Sequence, residues 1–313
     1  MKDKNDLFPG DGDFSKLVKK AQRKSLIRTI LVSVIVSALL FAGLMWLGTF
    51  LMYKHMEDEN NYDYATGFIR GANVEMGGSL FNYTPFSAHA ITSSTKYVAG
   101  VPVPWETREK VFTIFGSSRP VQAPSYSGSG NIEDDRMVMY FQGERLVEFY
   151  SPELDYEFVP DERELLDEAG ENQVLEMAFS FDAAYGVEEV EEIFSDQLNW
   201  YWVDVSGSAV QGEEQQPVYG YEAYGFFQNR DALESAEGFI QQMEWLRDEK
   251  GHFQEEAGRI YDVVGGDSSS EEVQAEELEV SGVVVTGSPE ELMAFSELPM
   301  IRAAVIGATT DKY

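Results

Sequence analysis

The chain has 313 residues, no cysteine and a formal net charge of -32. The missing thiols exclude disulfides, thiol nucleophiles and thiolate metal sites. The charge is uneven: residues 1–28 hold eight Lys/Arg and four Asp/Glu, whereas residues 29–313 hold 15 and 51. So acidic a body repels phosphate backbones, which excludes direct nucleic-acid binding there and argues against a tail lying on anionic lipid.

In chain order, residues 1–13 are polar with a Pro-Gly turn and read as disordered. Asp13 stands as an N-cap. Phe14, Leu17, Val18 and Ala21 follow at i, i+3, i+4 and i+7, the spacing of one helix face, and Lys16, Lys19, Lys20, Arg23 and Lys24 take the others. One reading is a juxtamembrane helix with its apolar face in the headgroups. The other is a face, including Lys20 and Lys24, that docks a cytoplasmic protein.

Thr29 to Tyr53 holds no Asp, Glu, Lys, Arg or His. As a helix these 25 residues would be roughly 37 Å long, enough to cross a hydrocarbon core of about 30 Å. No small-residue cleavage site follows, so a membrane span is favoured over a signal peptide. Cations crowd its N-terminal flank, and Glu57, Asp58 and Glu59 lie beyond the other. The positive-inside rule then puts residues 1–28 in the cytoplasm and the rest outside. Trp46, Phe50 and Tyr53 suit an outer aromatic belt. Ser33, Ser37, Ala38 and Ala42 form a small-residue stripe that could pack a partner helix.

Residues 57–63 read as a polar stalk. Residues 54–160 are β-rich, with strands expected at Tyr64–Ile69, Ala88–Thr92, Lys110–Ile114, Met137–Phe141 and Arg145–Tyr150. Gln142-Gly143-Glu144 would turn a hairpin, and residues 123–131 read as a flexible loop. From Asp161 the period changes. A short acidic helix (161–169), strand (174–181), helix (188–194) and strand (199–205) are followed by a long helix at 230–250. After an acidic loop at 265–277, expected to be disordered, come strand (278–285), helix (290–295) and strand (300–306). Ser288-Pro289-Glu290-Glu291 is a capping box with Pro in the first turn. Two β-α-β units over 161–313 predict a ferredoxin-like α+β domain.

No nucleophile elbow, zincin, P-loop or dinucleotide fingerprint is present, and the three histidines are not at ligand spacing. Acidic pairs such as Asp134-Asp135 are expected by chance in so acidic a chain. The expectation is therefore no enzyme, no cofactor and no metal. Trp200, Tyr201 and Trp202, with Asp204 beside them, would form either a stacking platform for sugars or peptides or a core cluster. Alternation along a strand favours core, with both tryptophans facing the helices.

Phe14 to Leu40 resembles the opening of the sigma-factor-regulator N-terminal family of Gram-positive bacteria. Met137-Val138-Met139-Tyr140-Phe141, Ser180-Phe181-Asp182, Tyr185, Glu188-Glu189-Val190, Trp200-Tyr201-Trp202-Val203-Asp204, Gly282–Gly287 and Glu290-Glu291-Leu292 are similar, in order, to motifs of the matching C-terminal family. Where that family usually has Ser before Glu-Glu-Val, this chain has Gly186-Val187. The resemblance implies a membrane-bound anti-sigma factor for an extracytoplasmic-function sigma factor; residues 14–28 would then hold that factor at the membrane. A 28-residue tail is short for wrapping such a factor, so a second small membrane protein would help hold it. The alternative is an anchored envelope-binding or sensor module with no transcriptional role.

Overall fold

The computed structural model describes residues 11–122, 125–131, 136–205, 216–249, 251, 253–265 and 273–312. The polar start (1–10), Asp134-Asp135, His252 and most of the acidic loop fall outside these residues.

The first element, α1, is a single helix of 59 residues, Asp11–Ile69. It begins two residues before the expected cap and runs through the apolar stretch. Its most apolar 18-residue window is wholly unburied. It then continues through residues 57–69, where a stalk and a strand at Tyr64–Ile69 were expected. The correction has a physical cause: Met52 and Met56 are an i, i+4 pair buried against the first sheet, Ala65 and Ile69 a second such pair buried in the helix-side core, and this burial overrides the β-propensity of Tyr64 and Ile69.

Four strands form an antiparallel sheet in chain order: β1 (Glu75–Tyr83), β2 (Ser87–Val98), β3 (Val101–Thr113) and β4 (Ser118–Pro120). A second sheet holds β5 (Tyr126–Asn131), β6 (Arg136–Phe141) and β7 (Glu144–Arg145). Much of the expected loop at 123–131 is thus strand, because its small residues pair with β6, Gly128 opposite Met139. The turn between β6 and β7 has positive φ at Gln142 and Gly143 (52° and 94°), as a tight hairpin requires. The expected strand at Arg145–Tyr150 is broken, leaving β7 and a two-residue β8 (Glu148–Phe149).

The expected helix at 161–169 is instead a 3-10 turn, Arg163–Glu168. The third sheet contains β9 (Gln173–Gly186), then α2 (Val187–Phe194) and β10 (Leu198–Val203). An insertion follows: β11 (Val218–Tyr219), β12 (Tyr224–Phe227), α3 (Ala232–Asp248) and α4 (Gln254–Val264). The chain ends with β13 (Glu279–Gly287), α5 (Pro289–Met293) and β14 (Ile301–Asp311). The sheet order is β12-β10-β13-β9-β14, antiparallel throughout. The capping box at Ser288 and Glu291 forms in full. Asp231 caps α3 by accepting from the Glu234 N–H.

The helices lie on one face of this sheet, burying Phe194, Phe239 and Leu292 against Phe179, Tyr201 and Val283. The other face is covered by the preceding region. Val147 and Phe149 pack there on Trp200 and Trp202, while Val98, Trp105 and Phe141 pack on Val174 and Ala308. The expected boundary at residue 160 is crossed by β8–β11 pairing and by these clusters.

Candidate functional site: the exposed start of a helix built into the folded domain

Phe14, Leu17, Val18 and Ala21 share a face of α1, as their spacing predicts. Phe14 is 69% and Leu17 65% exposed, and Lys20 and Lys24 are exposed on the same rod. Among the described residues, none packs on this face in a core cluster. An exposed apolar stripe rimmed by cations can take either a partner or a headgroup layer.

Further along, α1 becomes part of the folded domain. Met45, Gly48, Met52 and Met56 recur at three- and four-residue spacing and meet Ala88, Ala90, Phe112 and Ile114 of the first sheet and its turn. A Cβ at Gly48 would sit 2.9 Å from the Ile114 carbonyl oxygen, so only glycine lets the helix approach this closely. One turn higher, Lys110 Nζ on β3 donates to Glu59 (3.0 Å) and Asp63 (2.5 Å). Burial alone would lower the Lys110 pKa, but the two carboxylates outweigh it and raise it above its ordinary value. At the end of α1, Ala65 and Ile69 enter the helix-side core. Arg70 lies over the Tyr224 ring at 5.5 Å. The Gly71 and Ala72 N–H groups donate to the Ala223 and Gly220 carbonyls.

Two buried ionic clusters then lock the sheets together. Lys96 on β2 and Glu176 on β9 are 1% and 0% exposed, and Lys96 Nζ lies 2.8 and 2.7 Å from the two Glu176 oxygens. Glu176 also accepts from Asn73 Nδ2 (2.9 Å) and the Ala308 N–H (3.0 Å), and Lys96 lies 4.3 Å over the Trp105 ring. In the second cluster Arg136 bridges Glu148 and Glu162, and Arg145 also reaches Glu162. Burial would raise the Glu162 carboxyl, yet Arg145, the Ile306 N–H and Arg136 together hold it below the usual range. Each carboxylate has a cationic partner, although Glu148 Oε1, Arg136 Nη2 and Arg145 Nε are buried without a hydrogen bond, and no groups of His, Asp or Glu suited to a metal occur among the described residues.

Trp200 (1%), Tyr201 (0%) and Trp202 (1%) are all buried, so no stacking platform is presented. The tryptophans do share a face, but it is the opposite one from the helices. Trp202 stacks on Phe149 at 4.8 Å and Trp200 lies at 5.9 Å from it, while Tyr201 takes the helix side against Phe226. Asp204 accepts from the Ser151 hydroxyl. The strand pattern gave the alternation but not which face each side chain took. That depended on Phe149 arriving from fifty residues upstream.

Sequence reasoning also missed a cleft of about 900 Å³ beside the last turns of α1. Tyr62, Arg70, Trp105, Arg108, Tyr126 and Phe253 are among its lining residues. These residues come from four separated segments, and no local motif marks them.

Residues 166–308 match the protein-family model described as sigma factor regulator C-terminal. This part of the chain is similar to a sigma factor regulator C-terminal domain. The match contains the Ser180-Phe181-Asp182 strand, α2, the Trp200–Asp204 strand and the β13-α5-β14 unit, and supports a role in sigma-factor regulation. Regulators of this kind bind a sigma factor, and the apolar N-terminal helix agrees with membrane anchoring. No curated protein and no solved structure matches the chain. Within the regulator domain the motif residues serve the core: Phe181 stacks on Phe194 at 5.8 Å, and Tyr185 donates to Asp182. The exposed face at Phe14–Ala21 lies outside the matched residues.

Proposed function

We propose that this chain is a single-pass membrane anti-sigma factor. Residues 14–24 hold an extracytoplasmic-function sigma factor against the cytoplasmic side of the membrane. Residues 29–53 span the bilayer, and the domain from residue 54 onward lies outside and responds to an external signal. A second small membrane protein completes the grip on the factor. We also read β9-α2-β10 and β13-α5-β14 as a ferredoxin-like α+β sandwich, extended by β12 and the α3–α4 pair.

The observation that carries this reading is the continuity of α1. One helix of 59 residues runs from the exposed Phe14 face to the buried Ile69. Its outer third is clamped by the methionine face, the Lys110 pair and the core. A rod so held cannot tilt or rotate without the outer domain moving with it. A molecule bound in the cleft beside Tyr62 and Arg70 would touch the rod directly, which makes the cleft the place for a signal to act. Retention at the membrane keeps the factor from RNA polymerase, and a change in α1 releases it.

The test is transcriptional. Deleting residues 14–24, or scrambling their order while preserving amphipathicity, is expected to raise the target genes of one sigma factor. An envelope-binding module with no transcriptional role predicts no change on either manipulation, and that result would end the proposal.

A further inference from the structure

We propose that the turns at Phe86 and Phe115 form a membrane-seated foot, resting in the outer headgroup layer beside the span. This rests on the anchoring of α1 in a bilayer proposed above.

Three independent observations converge on it. The first is position. Gly48 lies 20 residues after Arg28 on α1, about 30 Å along the axis, which is the thickness of a hydrocarbon core. Gly48 is the residue that Ile114 touches, so the β3–β4 turn sits beside the last turns of the proposed span, level with the aromatic belt of Trp46, Phe50 and Tyr53. The β1–β2 turn is tied to the same level. The Ile114 N–H donates to the Phe86 carbonyl (3.1 Å), and Tyr83 meets Tyr53 of α1 at 5.3 Å between rings.

The second is exposure. Phe115 is 86% and Phe86 53% exposed, at the ends of two adjacent turns. The turns are internally braced. Thr84 Oγ1 accepts from the Phe86 and Ser87 N–H groups, and Thr113 Oγ1 from the Phe115 N–H. Large apolar side chains held outward on stiff turns, level with Trp46 and Phe50 of the helix, continue the apolar surface of the span.

The third is charge. Residues 76–132 hold only two acids, Glu106 and Glu109; of the cations there, Lys96 is buried on Glu176 and Lys110 is paired with Glu59 and Asp63, so the segment is acid-poor rather than cationic. No acid occurs at 76–105 or at 110–132, in a body that is strongly acidic elsewhere. This acid-poor part, which would meet little repulsion from anionic headgroups, is the part packed against the end of the apolar stretch of α1. Phenylalanine and tyrosine are suited to that layer, where an apolar ring meets a polar boundary. A foot of this kind would fix the tilt of the domain relative to the membrane, and so the resting orientation of α1.

The absence of native cysteine makes the test direct. Single-cysteine variants of the full chain, Phe86→Cys, Phe115→Cys, Leu40→Cys and Glu237→Cys, are labelled with a polarity-sensitive fluorophore and reconstituted in vesicles. The vesicles contain lipids with a nitroxide near the headgroup or deep in the acyl chain. Glu237 serves as the distant control, since neighbouring Gly238 meets Phe68, about 30 Å along α1 from Gly48. The labels at 86 and 115 are expected to emit at shorter wavelength than that at 237. They should also be quenched several-fold more by the shallow nitroxide. Labels at 86 and 115 that are as water-exposed as 237, while 40 is quenched by the deep nitroxide, would overturn the foot and leave the span intact. Labels shielded from water but unquenched by lipid would show a protein covering the turns, which also overturns it. Absence of quenching at position 40 would remove the anchoring reading, and the foot with it.

Discussion

Lys96 and Glu176 illustrate how much one pair of side chains can hold. Each is buried, and Glu176 receives hydrogen bonds from three separate elements. Removing one member strands the other charge, so Glu176→Gln is expected to destabilise the outer domain by about 3–5 kcal/mol in urea unfolding followed by tryptophan fluorescence. A paired change to apolar residues, Lys96→Met with Glu176→Leu, should recover much of that loss, because neither charge then remains unpaired. Glu162 makes a pH prediction. Its folded pKa is depressed, so its contribution to stability is present above the unfolded carboxylate value of 4.5 and fades as pH falls through the folded value. The unfolding midpoint should therefore drop steeply below about pH 4.5, and less steeply in Glu162→Gln, which starts lower. A parallel pH dependence in both proteins would show that Glu162 is not responsible. The tryptophan pair adds a residue-scale point about packing. Cβ atoms at Gly225 and Gly282 would strike the Tyr201 and Phe179 carbonyls, and these two glycines make the room in which Trp200 and Trp202 lie across neighbouring strands.

Among the elements, α1 decides how the rest is arranged. Gly48→Leu is expected to lever the first sheet off the helix without unfolding the β9–β14 sheet. Its signature would be faster proteolysis between residues 84 and 117, with the Trp200/Trp202 fluorescence environment retained. The α5 start offers a calibration: Ser288→Ala removes one half of the capping box and should cost about 1 kcal/mol. The elements that were legible in the sequence are the ones whose signals are local. The α5 cap, the Gln142-Gly143 turn, the long helix at 232–248 and the β-α-β rhythm after residue 173 all follow from neighbouring residues. The extension of α1 to Ile69 was not legible. Residues 57–63 are polar enough to pass for a stalk, and the partners that hold them in a helix, Lys110 and the core around Phe253, come from far along the chain. β12 and α4 were missed for a related reason: each is short, and its burial is supplied by α3 and the end of α1. The exposed face at Phe14, by contrast, was fully legible, because helical spacing alone defines it.

Taken whole, the described residues form a rod fixed at one end in a folded body, with the Phe14–Ala21 face exposed at the other. The folded domain joins its sheets through buried ion pairs and a shared core, and the end of α1 packs into that core. The matched regulator domain supplies the helix-covered sheet, and the acid-poor first sheet supplies the clamp on α1. Inserting two glycines after Tyr53 would break the rod between span and clamp. Such a variant should still retain the sigma factor but lose its response to the external signal, read as target transcription that no longer changes when the native stimulus is applied. The central claim is that the Phe14–Lys24 face grips a sigma factor. The most direct measurement places a photo-crosslinking amino acid at Leu17 of the full chain, in its native cell, and identifies the adduct by mass spectrometry. The account predicts a crosslink to a sigma factor that vanishes when residues 14–24 are scrambled. Crosslinks to lipid alone, with no sigma-factor adduct, would contradict it.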